Sequence, residues 1–407
     1  MLLERTGGRW PASSWVIWLL VVVAPTPWLS AGSSMGPHVL LLLVLGALLL
    51  LQGARMPAVG WTLAASAVLL LHFAFALFVT PCEDSFGKSV ASELVLIPLI
   101  WALGLLAAGH DGRSVDGTLR QVLVLVVVSV MIEKAYLVLA SKSEYLRPSG
   151  IFSEPSHLAL SMAPVLAALI VSGRRRNQLY GWLGTLILYA LSASATLFVV
   201  LAICLLFVTL GKPSAKGRGR TVLRVLAVSV LSVGLVAVSP YRDAFVERIL
   251  GLGDVSLSAN MSSLIYLHGW ESALGNFDAT SGFGLGINRM GCFPRPETSA
   301  TDILEFFDLG DSNYNDGSFT FSKLLSEFGV LAIVWQLGVM VFMFRAIRRM
   351  RSADPQQYTW HAFLLGGVVV MSLGAFIRGT GYFSGPFLLG IWAMFQLTRM
   401  KPHSAPA

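Results

Sequence analysis

The segment Arg147-Pro-Ser-Gly-Ile-Phe-Ser-Glu-Pro-Ser-His157 sets a guanidinium, a carboxylate and an imidazole within one short stretch. Pro148 and Gly150 break the backbone, Pro155 suits the first turn of a helix, and Ser153 is the expected N-cap. Glu154 and His157 are three residues apart and share a helix face. A helix N-terminus offers free N–H groups and the positive end of the dipole, which suits an anion such as a diphosphate. Arg147 adds a bidentate grip on phosphate. Glu154 or His157 can orient or deprotonate a hydroxyl. The structural alternative has Glu154 capping its own helix and pairing with Arg147, with His157 merely packed.

Other ionisable residues sit at the same expected depth: Glu93, Glu133, Lys134, Lys323, Glu327 and Arg378. Such groups inside membrane spans are costly and mark function, so one polar, water-filled cavity is expected to gather them. The basic groups of chemical use in the longest loop are Arg248, His268 and Arg289, with His268 reading better as a packed residue. Arg289 follows Gly282-Phe-Gly-Leu-Gly-Ile-Asn288, whose glycines permit tight turns and exposed amides. Asn288, Asn313, Asn315, Asp316 and Ser318 supply hydrogen-bonding groups with little bulk, which suits sugar hydroxyls. A plain polar turn capping the next helix is the alternative for Asp311 to Ser318.

The elements that carry these residues must lie in lipid. The chain has 407 residues, 55% hydrophobic and 13% charged, with mean hydropathy +0.71. A soluble globule cannot hide that much apolar surface. About twelve spans are predicted, at 14–30, 36–52, 58–79, 90–109, 119–140, 156–173, 178–193, 195–210, 221–239, 320–344, 361–378 and 382–398. Spans seven and eight read as two helices or as one long tilted helix. The first run follows Arg5 and Arg9 without a clear small-residue cleavage site, so it reads as a retained span.

The positive-inside rule orients the chain with both termini cytoplasmic. About 19 of the 29 cations then lie inside, while the outer segments hold about 18 of the 22 acids. The basic runs read as topology determinants, not nucleic-acid sites. The chain divides into helices one to nine over 1–239 with a short outer loop at 141–155, a long outer loop over 240–319, and three helices with a cytoplasmic tail over 320–407. Short helices are expected near Tyr241–Leu250 and Ser262–Ala273. No Walker or dinucleotide motif occurs, and three cysteines without ligand spacing give no zinc set, so no cofactor or metal is expected. Cys204 lies in a span. Cys82 and Cys292 fall on the outer side, where they either pair or stand as separate thiols.

The pattern Arg-x-x-Gly-x-Phe-x-Glu-Pro-Ser at 147–156 resembles a signature of Wzy-type O-antigen and exopolysaccharide polymerases. Gly282 to Asn288, and the stretch Asn315 to Gly329 with its Leu-Leu-Ser-Glu-Phe-Gly ending, are similar to the same family. The resemblance covers about 145–345 by motif and the whole chain by topology. It implies an all-α, GT-C-like glycosyltransferase of the bacterial inner membrane, independent of metal and nucleotide. It implies undecaprenyl-diphosphate-linked oligosaccharides as substrates, moved as a block onto another lipid-linked repeat unit, and a chain-length regulator and flippase as partners. Arg147, with Arg289 or Arg248 and Arg378, would hold the diphosphate, and Glu154 or His157 would serve the acceptor. Related O-antigen ligases carry a His-Asn pair where this chain has Ser318 and Phe319, which favours polymerase over ligase. The family's arginine before the glycine run is absent from Asn260 to Trp270. A flippase or secondary transporter is the rival class; it predicts charge through the full membrane depth, whereas the inner half of the predicted spans is nearly charge-free.

Overall fold

Apolar chain in lipid must satisfy its own backbone groups, which leaves helices as the default. Among the described residues every regular element is helical. The computed structural model describes residues 12–24, 37–51, 54, 58–80, 85–108, 115–140, 147–192, 194–212, 219, 223, 256, 261–293, 298–310, 314–379 and 381–399. The helices are α1 (Ala12–Ile17, continued by a π-helical stretch Trp18–Val23), α2 (Pro37–Leu51), α3 (Val59–Val79), α4 (Phe86–Ala108), α5 (Val115–Leu139), α6 (Pro155–Val171), α7 (Arg175–Ser192), α8 (Ala195–Leu210), α9 (Met261–Ala279), α10 (Ser299–Phe306), α11 (Thr320–Phe328), α12 (Val330–Met350), α13 (Tyr358–Ser372) and α14 (Gly385–Thr398). The ninth expected span, at 221–239, lies outside the described residues apart from Leu223, and so does the short helix near Tyr241.

Among the described residues five stretches are long and apolar enough to cross a membrane: Val59–Phe78, Phe86–Ala107, Val115–Leu139, Val330–Met350 and Pro355–Phe376. Shorter apolar helices accompany them, among them Pro155–Val171 and Gly385–Thr398. The hub is α6, buried without interruption from Leu158 to Val171, and it packs on α7, α8 and α13. Small residues let these backbones close up. A Cβ on Gly366 would meet Pro164, and one on Gly181 would meet Ile170. Polar side chains bridge the helices: Gln336 Nε2 donates to Ser372 Oγ at 2.7 Å, and Trp101 Nε1 to Ser66 Oγ at 3.1 Å. Large apolar side chains stay exposed along α2, α3, α5 and α12, including Leu51, Trp61, Leu71, Phe78, Leu139 and Phe344. A continuous apolar exterior of this kind suits acyl chains.

The helix ends sort into two sets. At one end Arg174 pairs with Asp116 at 2.8 Å, Arg120 donates to Asn177, Arg351 to the Leu210 carbonyl, and Arg399 to the Ala107 carbonyl. Ser14 bonds Thr118 at this end too. At the other end Ser194 meets the Pro155 carbonyl, Ser89 meets the Ile287 carbonyl, and Arg378 meets Glu154. The start of α1 and the end of α14 therefore lie at the same end of the bundle, the one crowded with cations.

One open choice is resolved and one expectation changes. The two helices counted over 178–210 are present as α7 and α8, and Ser194 caps α8 by accepting from the Leu197 N–H. The expected continuous span at 320–344 is broken. Gly329, at φ +55° and ψ −129°, ends α11 and starts α12. All of α11 is buried.

Candidate functional site

Residues 147–154 fold as a wired turn leading into α6. Glu133, near the far end of α5, accepts from the backbone N–H of Ser149 at 2.7 Å and of Gly150 at 2.5 Å, both on Oε2. Ser149 Oγ donates to the Phe152 carbonyl at 2.7 Å, and the Phe152 ring is buried. Pro155 takes the first helical position, so the N-cap is Glu154, in extended conformation. This corrects the assignment of Ser153. Proline with its fixed φ sets the helix start, and the residue before it is the cap. Ser153 instead bonds His157 Nδ1 across the turn.

Glu154 does not cap its helix with its side chain. Its carboxylate turns to Arg378, whose Nη2 lies 3.0 Å from Oε2 and 3.2 Å from Oε1. Ser156 Oγ also donates to Oε2, at 2.8 Å. Burial pushes the Glu154 carboxyl up, but Arg378, Ser156 and His157 together outweigh it and hold the group below its ordinary value of 4.5. A stable carboxylate therefore sits on a helix N-terminus, paired with a guanidinium and one turn from an imidazole. Arg147, half-buried, lies two residues before the turn that Glu133 holds. The guanidinium that grips Glu154 is Arg378's, carried in from the strap between α13 and α14.

That strap also reaches a second polar cluster. Tyr382 is buried and donates to Glu327 Oε2 at 2.9 Å. Lys323 Nζ lies 3.6 Å from Glu327 Oε1 and 3.1 Å from Asp316 Oδ1. The loop after α9 lies on the end of α11: the Leu285 and Gly286 N–H groups donate to the Ser326 and Glu327 carbonyls. Asn288 donates from its backbone to the Tyr382 hydroxyl at 3.1 Å and from its amide to Ser92, beside Glu93. Removing one member of a buried ion pair such as Lys323–Glu327 costs about 3–5 kcal/mol, because the other charge is left without compensation.

The remaining candidates divide by exposure. Arg289 is 2% exposed. Its Nη1 donates to the Ala76 and Thr80 carbonyls at 2.9 and 2.8 Å, ending α3 as a C-cap. The guanidinium expected in the diphosphate clamp thus lies at the end of α3, where loose carbonyls attract a buried cation. Asn288 and Ser318 are buried, so of the hydroxyl-binding set Asn315 and Asp316 present exposed side chains. Arg248 and Asn313 lie outside the described residues. His268 is packed, bonded to Thr301 at 3.1 Å. Cys204 is buried and free, and Cys292 is in a disulfide. Cys82, the candidate partner, lies outside the described residues. Among the described residues no cluster could hold a metal ion.

Of the ionisable residues expected at one depth, Glu154, His157 and Arg378 meet around α6, and Glu93, Lys323 and Glu327 gather near Tyr382. Sequence reasoning missed Tyr382 and Ser92. The available signal was weak: a tyrosine between Gly381 and Phe383 at a helix gap. Comparison with family models and with curated proteins gives no match to this chain.

Proposed function

We propose that this protein is a membrane glycosyltransferase that polymerises undecaprenyl-diphosphate-linked oligosaccharide repeat units by block transfer. The observation that carries the reading is the Glu154–Arg378 pair on the N-terminus of α6, beside His157 and opposite the cation-rich end of the bundle. The donor's leaving group is a lipid diphosphate, whose charge grows as the glycosidic bond breaks. Arginines and helix N–H groups aimed at that charge lower the barrier. Arg378 holds Glu154 through Nη2 alone, and a guanidinium carries five donors, so the others are available to phosphate. Arg147 is the second grip. Glu154 is kept ionised, as an acceptor-orienting group must be, and His157 is the neighbouring proton carrier. The exposed Asn315 and Asp316 meet glycan hydroxyls in this reading. In this reading about twelve spans cross the bacterial inner membrane, with both termini cytoplasmic and the site facing outward.

Ser318 supports polymerase over ligase. Its small, buried side chain lies against Gly269 and offers no imidazole where ligases carry one. The decisive experiment incubates purified protein with synthetic lipid-diphosphate repeat units, without metal or nucleotide. Long glycan is expected from the wild type. Arg147→Ala should reach the membrane normally and make no long chains. A normal polymer ladder from that variant removes Arg147 from the mechanism, and no polymer from the wild type sinks the reading.

A further inference from the structure

We infer that Glu133 is a positioning residue that fixes Arg147 and the entry of α6 for diphosphate binding. This rests on the proposed function. Glu133 sits on α5, not on the segment that carries Arg147, Glu154 and His157. One of its oxygens takes two consecutive backbone N–H groups, at 2.7 and 2.5 Å. Consecutive amides converging on one point form a small anion cradle. A carboxylate is the strong acceptor such a cradle calls for.

The cradle has no slack. Gly150 is in the left-handed region at φ +69°, and a Cβ there would strike Ser129 Oγ, with the Val130 backbone N at 3.0 Å. The turn is thus pressed onto α5, and Glu133 supplies the attraction that keeps it there. The bond from Ser149 Oγ to the Phe152 carbonyl and the buried Phe152 ring then carry the constraint forward to Glu154. Arg147 precedes the cradle by two residues and Glu154 follows it by four. Releasing Glu133 frees both from a common anchor.

Two measurements test this in the full-length protein in detergent. Hydrogen exchange reads the clamp directly: Glu133→Ala should lose protection across 148–152, while Glu133→Gln, which keeps an acceptor oxygen, should lose less. Unchanged protection in Glu133→Ala overturns the clamp whatever the protein does. Binding of a synthetic polyprenyl-diphosphate-linked repeat unit reads the consequence. Glu133→Ala should weaken binding by roughly tenfold to a hundredfold, the worth of one charge-assisted hydrogen bond to phosphate lost when Arg147 is no longer held, with Glu133→Gln between it and wild type. A double-mutant cycle with Arg147→Ala separates positioning from general damage. If Glu133 acts through Arg147, adding Glu133→Ala to Arg147→Ala weakens binding little further. Fully additive losses, or wild-type binding by Glu133→Ala, overturn the inference while the proposed function stands. Absence of binding by the wild type overturns the proposed function itself and takes the positioning role with it.

Discussion

Glu154 is the residue whose chemistry the surroundings define most clearly. Its pKa is lowered in the folded protein, so the pair with Arg378 contributes at pH above the ordinary 4.5 and is lost as pH falls through the depressed value. Both side chains keep water contact, at 45% and 32% exposure, so solvent screens the pair and its worth to stability is small. In the proposed reaction the pair is worth more than it is to stability. Arg378→Ala is expected to slow turnover about 100-fold, as loss of one charge-stabilising donor does. It should also move the acid limb of the pH–rate profile to higher pH, because burial then acts on Glu154 with less to oppose it. An acid limb that stays in place would show that Glu154 does not control that limb. Arg289 teaches the opposite lesson. Its position after a glycine run suited phosphate, yet its guanidinium closes α3.

At the scale of elements, the informative feature is the break between α11 and α12. Hydropathy reads 320–344 as one span, and the apolar run does continue through it. Gly329 interrupts the helix because the Gly282 carbonyl lies where a Cβ would stand, and because Val330 donates to that same carbonyl at 2.8 Å. The loop after α9 thus docks into the gap and brings Asn288 to Tyr382. Gly329→Ala cannot keep both the backbone angles and this contact. A loss of about 1–3 kcal/mol is expected, the usual cost of a side chain in a glycine-only region. It would appear as a lower thermal midpoint in detergent, together with weaker protection of Leu285 and Gly286. An unchanged midpoint would mean that the break tolerates a side chain. The strap after α13 carries both Arg378, which bonds Glu154 at the entrance of α6, and Tyr382, which bonds Glu327 on α11, so one connector joins the two clusters.

The whole molecule is a bundle with chemically distinct ends. One gathers Arg120, Arg174, Arg351 and Arg399; the other gathers the wired turn, the strap and the α9 loop. The positive-inside rule assigns the first to the cytoplasm. Single cysteines test that assignment with an impermeant thiol reagent. Ser153→Cys and Asp316→Cys should label in cells whose outer membrane alone is opened, and Arg351→Cys only after the inner membrane is breached. The reverse pattern would invert the topology and remove the site from the outward face.

Much of this was readable from one dimension. Composition required lipid, hydropathy placed most of the helices, and the spacing around Pro155 marked a helix entrance with Glu154 and His157 on it. Those are local properties, set by backbone sterics and by apolar runs that tell within a few residues. What folding alone decided was partnership. Arg378 reaches Glu154 across 224 residues of chain, Asn288 reaches Ser92 across 196, and Arg289 turns to α3. A guanidinium bonds equally well to a carboxylate, a phosphate or a loose carbonyl. Which one it meets depends on how helices distant in sequence pack, and no spacing along the chain encodes that.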